Sequence, residues 1–224
     1  MKRKHKFYFL LILIICFYSV LRTSVGGCFS CYLISRGHSK LAYLFCLIGA
    51  DVKKGCKNEM TPICCALDAQ LPDTSLIELY IERGALEHLD SNPMFCIGHS
   101  VTAEKYIDVL LKNKVDANKG GGDGYMPLMY FSESGLLSVV VKLLNAGADI
   151  NAVTSTGKTA LSEAAIRGNV EVVKYLLKAG ANRKVVVGGK NITLIVGEKI
   201  KEMEEVKNAL MLQRYKEIRG FLSL

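Results

Sequence analysis

A 33-residue period constrains this chain more than any other feature. Residues 118–150 and 151–183 align without a gap and agree at 11 of 33 positions. The shared pairs are Asn118/Asn151, Gly124/Gly157, Leu128/Leu161, Gly135/Gly168, Val139/Val172, Val140/Val173, Leu143/Leu176, Leu144/Leu177, Ala146/Ala179, Gly147/Gly180 and Ala148/Ala181. The glycines fall where a chain must turn. The Val-Val and Leu-Leu pairs recur at i, i+3 and i+4, the stripe of a buried helix face. A unit of this size cannot bury such a stripe alone, so it must stack against neighbours, and about three or more units are needed.

The second copy runs Thr156-Gly157-Lys158-Thr159-Ala160-Leu161-Ser162, then Ala164-Ala165, Gly168-Asn169, Val172-Val173-Lys174-Tyr175-Leu176-Leu177 and Ala179-Gly180-Ala181-Asn182. This string resembles an ankyrin repeat. The resemblance implies an all-α ankyrin-repeat solenoid of stacked helix-turn-helix units with hairpin loops, preceded here by an N-terminal apolar helix. The same grammar, more worn, can be followed upstream through Thr61-Pro62-Ile63, Asn92-Pro93-Met94-Phe95 and Arg36-Gly37-His38. It gives about five units over residues 28–183, starting near Cys28, Thr61, Asn92, Met126 and Thr159. Residues 184–224 read as a degenerate C-terminal capping unit and helix, with Leu194 one period after Leu161 and a helix over 199–212 that sets Val206 and Leu210 on one face.

Local chemistry agrees with the pattern. Thr61 and Thr159 are placed to cap a first helix, and Pro62 and Pro127 fall where the first helical residue needs no donor. Gly147 and Gly180 suit a helix end that turns left-handed, and Lys114 stands where the pattern wants such a glycine.

The net charge of +8 belongs mainly to the first 22 residues. Without Lys2, Arg3, Lys4, Lys6 and Arg22 the chain carries 24 basic against 21 acidic residues. No basic stripe interleaved with aromatics survives, which argues against a nucleic-acid partner. Residues 1–27 read as a signal peptide or membrane anchor: a basic start, the apolar run Phe7 to Leu21, then small residues at Ser24 and Gly26. As a helix the run is about 22 Å long against a hydrocarbon core of about 30 Å. That favours a cleaved signal over an uncleaved anchor, and a leading helix on a soluble protein is a third reading. The expected location is exported, periplasmic or secreted, or anchored to the membrane. Val25-Gly26-Gly27-Cys28 also has the look of a lipoprotein site, although Arg22 interrupts it.

Of eight cysteines, Cys16 lies in the apolar run, leaving an odd number. Cys31 and Cys64 share one repeat position with Ser162, and Cys96 is there or one residue away. Equivalent residues of adjacent helices are expected about 10 Å apart, beyond the Cα separation of about 4.4–6.8 Å that a disulfide spans. Small buried core residues are therefore expected instead. In the family this position is usually a histidine that ties units together, so the ties should be weaker here. Cys28-x-x-Cys31 lacks the strand that a redox motif follows. The four histidines have no metal-ligand spacing. The stretch Lys119-Gly120-Gly121-Gly122-Asp123-Gly124 lacks the Gly-Lys-Ser/Thr of a phosphate loop and fits a flexible hairpin. Asn191-Ile192-Thr193 is a glycosylation acceptor only in a eukaryotic secretory route. No cofactor, metal or catalytic residues are expected.

What the resemblance implies is recognition of another protein by a monomer, with membrane contact only through an uncleaved N-terminus. Family contacts come from hairpin tips and the exposed side of first helices. Here the tips carry Lys57, Glu59, His88, Asp90, Asp123, Tyr125, Thr156 and Lys158, and the helices Tyr130, Glu133, Glu163 and Arg167. Tyr125 and Tyr130 are the expected anchors, because aromatics dominate interface energetics. An exported adaptor, with a bacterial host as one setting, is the leading reading. An inhibitor or immunity protein that neutralises a toxin is the alternative, and an exported thiol-redox enzyme a remoter one.

Overall fold

Thr159 opens the best-formed repeat. Its hydroxyl accepts the Ser162 N–H at 3.2 Å while the Ser162 hydroxyl accepts the Thr159 N–H at 2.8 Å, a reciprocal cap that satisfies two otherwise orphaned donors. The helix Ala160–Arg167 follows, ends on left-handed Gly168, and turns directly into Val170–Lys178. Leu161, Ala164, Ala165, Val172, Val173 and Leu176 are all buried, so the two helices share one apolar seam. Each fully buried leucine or valine contributes about 1.5–3 kcal/mol.

The computed structural model describes residues 31–34, 36–47, 52, 61–68, 74–87, 89, 91–97 and 103–223. The signal or anchor segment 1–27, Cys28, Lys57, Glu59, His88 and Asp90 lie outside the described residues. The chain divides into two compact halves, 1–113 and 114–224. In the first, a helical turn at 31–34 precedes α1 (Ser39–Leu47), followed by α2 (Pro62–Asp68), α3 (Thr74–Glu82), a 3-10 turn at Pro93–Cys96 and α4 (Ala103–Lys112). Helices α1, α3 and α4 stack in sequence, and α2 packs on the 3-10 turn. In the second half come α5 (Pro127–Glu133), α6 (Leu137–Asn145), α7 (Ala160–Arg167), α8 (Val170–Lys178), the strands β1 (Val186–Val187) and β2 (Lys190–Asn191), α9 (Ile192–Glu205) and α10 (Ala209–Ser223). First helices α5, α7 and α9 stack on one another, and so do second helices α6, α8 and α10.

Pro127 is the first residue of α5, as expected. Gly147 and Gly180 are left-handed at φ 87° and 98°. Lys114 adopts the same conformation at φ 59° without the freedom of glycine. A left-handed L-residue costs about 1–2 kcal/mol, and glycine returns about 0.5–1 kcal/mol of that as unfolded-state entropy. Lys114→Gly should therefore stabilise the chain by about 0.5–1 kcal/mol, read as an upward shift of the urea midpoint.

Two expectations are corrected. The first concerns cysteine spacing. Cys64 and Cys96 form a disulfide with their Cα atoms 5.0 Å apart. The assumed helix-to-helix distance does not hold there, because Cys96 ends a four-residue 3-10 turn packed directly on α2 rather than a full α-helix. The second concerns the C-terminal unit. Asn191 caps α9, its side chain accepting the Thr193 N–H at 2.8 Å, which sets this unit's frame one residue short of the 33-residue period. Ile192, Val196 and Ile200 consequently fill the core while Leu194 is 56% exposed. No single helix spans 199–212: α9 ends at Glu205, Lys207 turns left-handed at φ 54°, and α10 begins at Ala209. Val206 and Leu210 are exposed, and Tyr215, Ile218 and Leu222 carry the buried face instead.

Candidate functional site

The hairpin tips of the second half are linked to one another. Gly121 N–H donates to the Tyr125 carbonyl at 2.9 Å, and the Asp123 carboxylate accepts the Tyr125 N–H at 3.0 Å, so the glycine-rich stretch forms a closed turn. The Ser155 N–H then donates to the Asp123 carbonyl at 3.0 Å, and the Gly188 N–H to the Thr156 carbonyl at 3.1 Å. Three successive tips are thereby tied in register.

Behind the tips lies one polar network on α5 and α7. The Tyr125 hydroxyl donates to Glu133 Oε2 at 2.5 Å, a short charge-assisted bond. Arg167 donates through Nε to Glu133 Oε1 at 2.9 Å and through its terminal nitrogen to the same oxygen. Lys158 Nζ pairs with Glu163 Oε1 at 3.3 Å, an ion pair without hydrogen-bond geometry, and sits 6.0 Å from the centre of the Tyr125 ring. Burial pushes the Tyr125 hydroxyl far above its ordinary range, helped by its bond to Glu133. Burial also raises the Glu133 carboxyl, but the bonds from Tyr125 and Arg167 and the nearby positive charge outweigh it and hold the group below its usual value.

Of the eight site residues within the described part, five join this network: Tyr125, Glu133, Lys158, Glu163 and Arg167. Glu163 is not the exposed contact it was expected to be. It is 5% exposed, because it sits in the first turn of α7 beneath Lys158. Asp123 and Thr156 are exposed at the tips. Tyr130 is half-buried, its ring edge-to-face with Phe131 at 5.1 Å. The outward groups of this face are thus Asp123, Tyr125, Tyr130, Thr156, Lys158 and Arg167, with Glu133 and Glu163 as the anions that hold the cations in place.

The residues that tie neighbouring repeats are asparagines, which reading for histidine overlooked. Asn118 accepts the Asp149 N–H at 2.8 Å and donates to the Gly147 carbonyl at 2.9 Å, and Asn151 accepts the Asn182 N–H at 2.9 Å. Asn169 donates to the carbonyls of Ser132 and Glu133 at 2.9 and 2.7 Å, fixing the end of α5 that presents Glu133. The Asn118/Asn151 identity in the repeat alignment was the available signal. Ser162 spends its hydroxyl within its own cap.

The network sets a pH dependence. Glu133 is depressed in the fold, so its contribution is present above the ordinary value near 4.5 and lost as pH falls through the lower folded value. Tyr125 is raised, so its contribution is present below the ordinary value of 10.0 and lost as pH rises through the folded one. Glu133→Gln should cost about 1 kcal/mol or less, as the Arg167 partner is largely exposed. The stability difference from wild type should be flat between those limits and shrink below the lower one, measured as urea midpoints across pH.

Stacked helix pairs with tied hairpin tips define a helical-repeat protein, and the comparisons specify which kind. Residues 94–186 match the family model for ankyrin repeats (3 copies). The chain is 36% identical over 107 residues to human neurogenic locus notch homolog protein 2, over 46% of this chain and 4% of that protein. It is 31% identical over 109 residues to mouse neurogenic locus notch homolog protein 1, over 48% of this chain and 4% of that one. It thus spans a small fraction of these relatives' length. Among solved structures, the ankyrin repeat domain of Bcl-3, a member of the IkappaB protein family, superposes with a TM-score of 0.57 at 20% identity, over 74% of this chain and 76% of that one. At that identity the likeness concerns the fold. Residues 94–186 of the chain thus carry ankyrin repeats. Among the described residues, no helix is long and apolar enough to cross a membrane, and no cluster of three or more His, Cys, Asp or Glu could hold a metal ion.

Proposed function

We propose that the chain is a monomeric protein-binding module, exported or held at a membrane by residues 1–27, and that it grips its partner through the α5–α7 face. The observation that carries this reading is the Glu133-centred network. It holds Tyr125 and Arg167 in place before any partner arrives, which lowers the ordering cost of association. Tyr125, Tyr130 and Arg167 are also the residue types that supply most binding hot spots. A binding role, rather than catalysis, is what ankyrin repeats ordinarily serve. Export draws support from the basic-then-apolar order of residues 1–27 and from the Cys64–Cys96 bond, since disulfides persist in oxidising compartments.

Affinity capture with the full chain as bait, with N-terminal sequencing of the mature protein, tests both parts. A protein retained by wild type and released by Tyr125→Ala plus Tyr130→Ala is the expected result, with a mature N-terminus near Gly27 if the segment is cleaved. A partner retained equally by the double variant contradicts the proposed face. A chain found wholly in the cytoplasm contradicts export.

A further inference from the structure

The seam between α8 and α10 opens into a cleft of about 230 Å³. It is lined by Lys174, Leu177 and Lys178 of α8, Arg183 of the loop that follows, and Phe221 of α10. Three of these five side chains are cationic and none is acidic. Lys174 already has its counterions: its Nζ pairs with Glu171 at 3.1 Å and Glu217 at 2.9 Å, and lies 5.4 Å from the centre of the Phe221 ring. Lys178 and Arg183 are exposed, and among the described residues neither pairs with a carboxylate. Lys178, in the last turn, also meets the negative end of α8. Arg183 lies beyond the helix and has no such role. Leu177 and Phe221 are half-buried and give the cleft an apolar wall.

We propose that this cleft is a second docking site, and that it takes an acidic residue beside an apolar one on a linear segment of a partner protein. Charge complementarity selects the anion, because Lys178 and Arg183 carry the uncompensated charge of the lining. Leu177 and Phe221 select a peptide over a hydrated inorganic anion, which has no apolar part to bury. The volume is below the roughly 300–1,000 Å³ of a small-molecule pocket, so it holds a side chain or two of a longer ligand. An anionic bilayer fits less well. Glu171, 70% exposed, and Glu217 stand beside the cleft and would face the same headgroups, whereas one acidic side chain meets only the cleft itself. The site lies on second helices, apart from the first helices and tips of the α5–α7 face, so the chain can hold two partners at once.

The test is fluorescence anisotropy of the full chain with a labelled short peptide of alternating glutamate and leucine, at physiological ionic strength. Saturable binding is expected, and a glutamine–leucine peptide should not bind. Lys178→Glu plus Arg183→Glu should weaken binding by at least about tenfold. Lys178→Gln plus Arg183→Gln gives a second route should the reversal disturb the fold, which circular dichroism reads. Lys201→Glu plus Lys207→Glu, outside the cleft but with the same change in net charge, should leave affinity unchanged. Phe221→Ala should weaken it by about fivefold or more, an effect that diffuse attraction between charges would not show. Tyr125→Ala plus Tyr130→Ala should bind the peptide as wild type does, which separates this site from the α5–α7 face. No binding by wild type overturns the proposal. So does equal loss in the Lys201 and Lys207 control, full affinity in a folded Phe221→Ala chain, or capture by phosphatidylserine vesicles with none of the peptide bound.

Discussion

Phe131→Ala is expected to destabilise the chain by about 3–5 kcal/mol, the largest loss from any single truncation in the second half. Phe131 is fully buried on α5, the first helix of its repeat, which stacks on α7. Truncation removes its transfer free energy and leaves a cavity that the Pro127-started helix cannot collapse into, because Asn169 pins its end to Ser132 and Glu133. The loss should also reach the binding face, since the Phe131 ring is the edge-to-face partner of Tyr130. Urea unfolding followed by circular dichroism reads the stability change. A cost below about 1 kcal/mol would mean that α5 is not held by this packing.

Gly157→Ala should be the most damaging change at any hairpin tip, at about 2–4 kcal/mol. Two causes act together. Gly157 is left-handed at φ 83°, where a Cβ is strained, and that Cβ would fall inside the contact distance of the Val186 carbonyl oxygen. Backbone cannot move aside as a flexible side chain would, so the β1–β2 hairpin would have to shift. The Gly188 to Thr156 hydrogen bond between adjacent tips should break with it. Hydrogen exchange at the Gly188 amide measures this directly: faster exchange is expected in the variant, while Gly147→Ala, with open space around its Cβ, should leave that amide protected.

The architecture was legible because burial repeats with the chain. Leu128 and Leu161, Val139 and Val172, and Leu143 and Leu176 recur at one spacing and are all buried, so their periodicity reported directly on packing. Thr159, Pro127 and Gly180 were readable for a similar reason, each meeting a local backbone need. The misread features depend on contacts that no spacing encodes. Cys64 and Cys96 meet because one first helix is shortened to a 3-10 turn, and Leu194 faces outward because Asn191 starts α9 one residue early. Glu163 lies on the expected helix, yet Lys158 from the tip covers it. Among the described residues, Tyr130, Glu133, Glu163 and Arg167 lie on first helices and Asp123, Tyr125, Thr156 and Lys158 at tips, as their spacing suggested. Spacing could not say that Tyr125, Glu133, Lys158, Glu163 and Arg167 contact one another.

The central claim is that this ordered face is the partner's seat. Its most direct test is the dissociation constant of the captured partner, measured for wild type and for Tyr125→Ala plus Tyr130→Ala by titration calorimetry on chains of equal helicity. A loss of at least about tenfold, the effect of about 1.4 kcal/mol, is the predicted result. An unchanged constant in a folded double variant would contradict it.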